Sequence, residues 1–113
     1  MLIKDHILVE KLTHITKNIS INVALSFILN DNKVELSFDY IPDKFKFKQE
    51  SVLDYLRELT KQETLDLENL SARVVEDLYD MAVPKKIELT LRQEVNSIST
   101  SITTSKSQPK FKI

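Results

Sequence analysis

The sequence predicts an α+β fold, an antiparallel sheet with two helices on one face, in the order ββααββ. Three observations predict it. Apolar and polar residues alternate over residues 20–40 and again over 87–103, the intervening residues 50–81 switch to spacings of three and four, and Asn, Asp or Pro stands near most of the changes.

The first strand is read from Ile21, Val23, Leu25, Phe27 and Leu29, which alternate with Asn22, Ala24 and Ser26. Residues 30–33, NDNK, turn the chain, and Val34, Leu36, Phe38 and Tyr40 alternate with Glu35, Ser37 and Asp39 as the second strand of a hairpin that Pro42 ends. Val52, Leu53, Leu56 and Leu59 then mark a short amphipathic helix from about Glu50 to Thr60. A second helix carries Leu67, Leu70, Val74, Leu78 and Met81 as its apolar stripe, with Arg73, Glu76, Asp77 and Asp80 facing away and Pro84 beyond its end. Alternation returns in Ile87, Leu89 and Leu91, and, after a turn near Asn96, in Ile98, Thr100 and Ile102. The helical stripes are too short for a coiled coil.

The 113 residues form one domain, with residues 1–18 an extra strand or an arm over a neighbour and residues 105–113 a polar tail. The KFKFK run at 44–48 reads as a lysine-guarded strand edge, and SISTSITTS at 97–105 as a strand with a hydroxyl-lined face.

Composition excludes several function classes. With 16 basic and 17 acidic residues the formal charge is -1, so no broad cationic field exists for nucleic acid. The N-terminal stretch lacks an uninterrupted apolar run, which argues against a signal peptide or a membrane span and makes the cytoplasm the expected location. The chain has no cysteine, so disulfides, thiolate nucleophiles and cysteine-ligated metals are impossible. Glycine is absent too, which removes the common phosphate-cradling loops and leaves Asn30, Asp31, Asn32 and Asn96 to make the turns. His6 and His14 are too few for a three-histidine zinc site, and neither a metal nor another cofactor is expected.

The hydrophilic side of the sheet, with Asn22, Ser26, Glu35, Ser37, Asp39, Glu88, Thr90, Arg92, Ser99 and Ser101, either faces water or lines the interior of a barrel built from several copies. The order of elements resembles the tunnelling fold, whose ββααββ units form oligomeric barrels with their helices outside. Within that group the chain is similar to the 7-cyano-7-deazaguanine (preQ0) nitrile reductases. The resemblance lies in FDYIPDK at 38–44, SVLDYL at 51–56, LENLSARVVEDLYDMAVPKKIEL at 67–89 and SIS at 97–99, and spans roughly residues 34–102.

The resemblance implies a homo-oligomer with a purine- or pterin-like ring bound between copies. It implies that Glu68 accepts hydrogen bonds from the ring edge, with stacking from the loop near Tyr40 and Pro42. A carboxylate suits a pair of coplanar donors, and a helix N-terminus favours negative charge there. The other reading of Glu68 is a first-turn acid behind an Asp66 N-cap.

The departures from the family decide the chemistry. Without cysteine the covalent thioimide of a nitrile reductase cannot form. Leu67 stands where the family has histidine, Glu50 and Asp54 add negative charge to its cofactor-phosphate segment, and Asn96 and Ser97 replace its glycine pair. Three functions stay open: a non-reductase ring binder, a structural subunit that contacts another protein, and a metal-free enzyme similar to dihydroneopterin aldolase, using Glu68 and Tyr40.

Overall fold

The computed structural model describes residues 2–13 and 18–111. The strands are β1 (Val9–Lys11), β2 (Ile21–Leu29), β3 (Asn32–Ile41), β4 (Phe45–Phe47), β5 (Lys86–Val95) and β6 (Ile98–Ser107); the helices are α1 (Gln49–Gln62) and α2 (Leu67–Ala82). A 3-10 turn at Ile3–His6 precedes β1. The main sheet is four-stranded and antiparallel in the order β2-β3-β5-β6, and β1 and β4 form a separate two-stranded ribbon.

Both hairpins of the main sheet close without glycine. Leu29 pairs with Asn32, so the first turn is only two residues, Asn30 and Asp31, with φ of 50° and 67°. Val95 pairs with Ile98 across Asn96 and Ser97, at 53° and 67°. Positive φ at both central residues matches the right-handed twist of the flanking strands, and Asn and Asp tolerate it better than most residues. The NDNK turn expected over residues 30–33 is therefore shorter, because Asn32 and Lys33 are already paired in β3.

Strand alternation sorts the sheet into two faces. Val34, Leu36, Phe38 and Tyr40 of β3 and Ile87, Leu89 and Leu91 of β5 are buried under the helices, where they meet Val52, Tyr55, Leu56 and Leu59 of α1 and Leu70, Val74, Val75 and Leu78 of α2. α1 packs on the β2 side and α2 on β5 and β6. Burying such side chains contributes about 1.5–3 kcal/mol each, so this single layer dominates the stabilising terms.

Two details, at β6 and Asp77, differ from the sequence expectation, and the KFKFK run gains a partner strand that the sequence does not name. β6 runs to Ser107, three residues into the stretch read as a polar tail from residue 105, because Glu88, Ile87 and Lys86 continue the ladder opposite Ser105, Lys106 and Ser107. The KFKFK run pairs as β4 with β1, Val9 opposite Phe47 and Lys11 opposite Phe45, and Lys46 meets Glu10 at 3.3 Å. Asp77, expected on the solvent face of the second helix, is only 7% exposed.

Candidate functional site

The start of α2 is built by its cap. Asp66 accepts a hydrogen bond from the Asn69 backbone N–H at 2.8 Å, which satisfies one of the free donors of the first turn. Leu67 turns into the core, and Glu68, next along the helix, is exposed. Among the described residues Glu68 makes no hydrogen bond or ion pair, so both carboxylate oxygens are free to accept.

α2 then runs alongside β6 in the same direction. Ser71 meets Thr104 at 2.6 Å between hydroxyl oxygens, Glu76 accepts from Lys106 at 2.7 Å, and the Val83 carbonyl accepts from Gln108 at 3.0 Å. This sequence of contacts puts Glu68 on the Asn96–Ser97 side of Thr104, about one or two strand residues nearer that turn. Tyr40, paired through Ile87 with Lys106, lies at the level of Glu76 and Tyr79. Along the helix axis that separation is roughly 12–16 Å. Within one chain Glu68 and Tyr40 do not come together.

Tyr40 is itself a core residue. It is 2% exposed, its ring lies 4.9 Å from Phe47 and 5.7 Å from Phe38 between centroids, and its hydroxyl accepts from the Phe47 backbone N–H at 3.1 Å. Burial pushes its pKa up, partly offset by that hydrogen bond. Within the chain the ring packs against Phe38 and Phe47 and presents no exposed face. Pro42 is also buried, next to Ile41, whose carbonyl accepts from the Lys85 N–H. The same burial weighs against Tyr40 as a proton handler.

A second cluster was not read from the sequence. The Tyr55 hydroxyl donates to Asp77 Oδ2 at 2.5 Å, Arg73 Nε donates to the same oxygen at 2.9 Å, and Arg73 reaches Glu63 at 3.0 Å. Tyr55 is fully buried, and desolvation together with the Asp77 hydrogen bond pushes its pKa far above the ordinary tyrosine value. Its place one turn after Val52 and one before Leu59 gave the core position away, but nothing in the sequence pairs residues 55 and 77. The cluster ties α1 to α2 with every partner satisfied.

The concavities among the described residues include two at the main sheet. One, about 520 Å³, is a trough on the helix-free face lined by Ser26, Lys33, Glu35, Ser37, Thr90 and Arg92. The other, about 420 Å³, runs along the β2 edge beneath α1. Among the described residues no group of three His, Asp or Glu side chains is placed to hold a metal ion. His14 lies outside the described residues. No helix among the described residues is long and apolar enough to cross a membrane.

No family model and no curated protein matches the chain. Among solved structures the chain is similar to the archaeosine synthase QueF-like protein in its apo form, with a TM-score of 0.59 and 10% identity over 81% of this chain and 95% of that one. At that identity the likeness speaks for fold and not for activity. The chain therefore has the α+β fold of the archaeosine synthase QueF-like protein, in keeping with the tunnelling-fold resemblance of its sequence.

Proposed function

We propose that this chain is a subunit of a ring of identical copies that holds a purine- or pterin-like ring at Glu68, between copies, without reductase chemistry. The observation that carries the reading is the free carboxylate of Glu68 at a capped helix start, in a fold shared with the archaeosine synthase QueF-like protein. The sheet supports the assembly. Four strands that alternate in direction leave edges, β2 and β6, that run oppositely. Rotating one copy beside the next therefore continues the antiparallel pairing, and both unpaired edges vanish when the ring closes. The helices, all on one face, stay outside, and the hydroxyl- and charge-bearing face lines the channel.

The absence of cysteine removes the nucleophile of nitrile reduction, which leaves binding as the function the remaining groups support. A thermal-shift series with preQ0, guanine and neopterin tests it. Stabilisation by at least one ring, lost in Glu68→Ala, is the expected result; no shift with any of them rejects the reading.

The second reading, a structural subunit that docks another protein, has Tyr40 in its favour. With that ring locked in the core, Tyr40 itself offers no face to a ligand. Unchanged melting with every ring, together with an intact oligomer, would favour it.

A further inference from the structure

The groove along the β2 edge plays no part in the site as described so far. Ser26, Phe27, Ile28, Lys33, Arg57 and Thr60 line it. Its floor is partly apolar, with Ile28 62% exposed on an edge strand. Thr60 already donates its hydroxyl to the Leu56 carbonyl. Arg57 is exposed, and among the described residues its side chain makes no hydrogen bond or ion pair. Asp54 and Lys61 lie one turn to either side of it on α1 and balance each other in charge. A guanidinium presents its donors in a rigid planar fork that suits a phosphate or a carboxylate.

The position of the groove matters as much as its lining. Leu29 pairs with Asn32, Val34 with Gln93 and Val95 with Ile98, so residues 26–28 of β2 stand at the same end of the sheet as the Asn96–Ser97 turn and the start of α2. The groove lies at one edge of the sheet and Glu68 beside the other. Pairing of β6 of one copy with β2 of the next would bring Glu68 and the next copy's groove to one seam.

We infer that the ligand of this seam is a planar heterocycle bearing a negatively charged substituent: Glu68 of one copy takes the donor edge of the ring, and Arg57 of the adjacent copy takes the anion. The inference rests on the ring-binding reading and adds a ligand class to it. Each chain then supplies half of two sites, and neither half is complete alone.

Calorimetric titration of the full chain with matched probes tests it: guanosine against guanosine 5′-monophosphate, and pterin against pterin-6-carboxylate. The phosphate and carboxylate arms separate the two sources of anion. The charged member of at least one pair is expected to bind about tenfold tighter, the scale of one charge-assisted hydrogen bond. Arg57→Gln is expected to abolish that difference and leave the uncharged partner unaffected, whereas Glu68→Gln weakens both. Equal affinities within both pairs, or a difference that survives Arg57→Gln, overturns the inference while leaving ring binding intact. Failure of every probe overturns both.

An equal mixture of Arg57→Gln and Glu68→Gln chains, unfolded and reassembled together, adds a test that only a shared site passes. About a quarter of the seams then carry both native residues and regain the tight charged-ligand phase. No recovery means that the two groups do not meet between copies. Both side chains are exposed, so unchanged melting of each variant serves as the folding control.

Discussion

The helix-covered side of the molecule and its opposite edges are built on different terms. Between α1 and α2, the Tyr55 hydroxyl, Asp77, Arg73 and Glu63 form a closed set in which each polar group has a partner. At the edges, Glu68 and Arg57 have none among the described residues, and Ile28 and Ile98 are 62% and 68% exposed. Buried polar groups left without partners are costly, so a satisfied cluster marks structure. The exposed apolar side chains and free charges of the edges fit the proposed pairing of edges between copies.

The contrast can be broken most sharply in the core. Phe38→Ala, under the helices, is expected to cost about 3–5 kcal/mol, whereas Ser37→Ala, one residue along on the helix-free face, should stay within about 0.5 kcal/mol. Denaturant unfolding of the two variants compares the faces directly. Asp77→Ala comes next, at about 3 kcal/mol, because it strands the Tyr55 hydroxyl and leaves Arg73 with Glu63 alone. A loss as small as that of an exposed aspartate would show that the cluster does not hold the helices.

Alkaline pH probes the same cluster without mutation. Burial raises the pKa of Tyr55 and Tyr40 in the folded state above the ordinary value of about 10. A folded pKa above the unfolded one means that the stabilisation is complete below pH 10 and is lost as pH rises past it, when the unfolded chain ionises first. Stability measured from pH 8 to 11 should fall with that onset, and Tyr55→Phe should flatten the fall while lowering the plateau by about 1–2 kcal/mol.

Smaller effects belong to the helix ends. Asp66→Ala is expected to cost about 1 kcal/mol through the lost cap. At the other end of α2, Val83 adopts φ 44° and ψ 57°, a left-handed conformation that penalises a β-branched residue. Val83→Gly should therefore raise stability by up to about 1 kcal/mol in the same unfolding assay, since the side chain is half-exposed and little packing is lost.

These particulars show which parts of the molecule were legible in the sequence. Alternation located β2, β3, β5 and β6 because an antiparallel sheet covered on one face imposes a period of two, and the same parity placed Tyr40 with Val34, Leu36 and Phe38 in the core. Asp77 lies off the Leu67–Met81 stripe and so reads as solvent-facing; its burial depends on Tyr55, 22 residues away, and no local pattern carries such a pairing. The β1–β4 ribbon is equally non-local. Glu68 was legible as a residue type at a helix start, and Arg57 was not, because its significance comes from the groove beside it.

The central claim is that the two open edges of the sheet meet in a ring of copies. Light scattering on the full chain across a hundredfold range of concentration tests it most directly. A single species whose mass is a constant multiple of 13.1 kDa is the predicted result. A 13.1 kDa monomer throughout that range would contradict it.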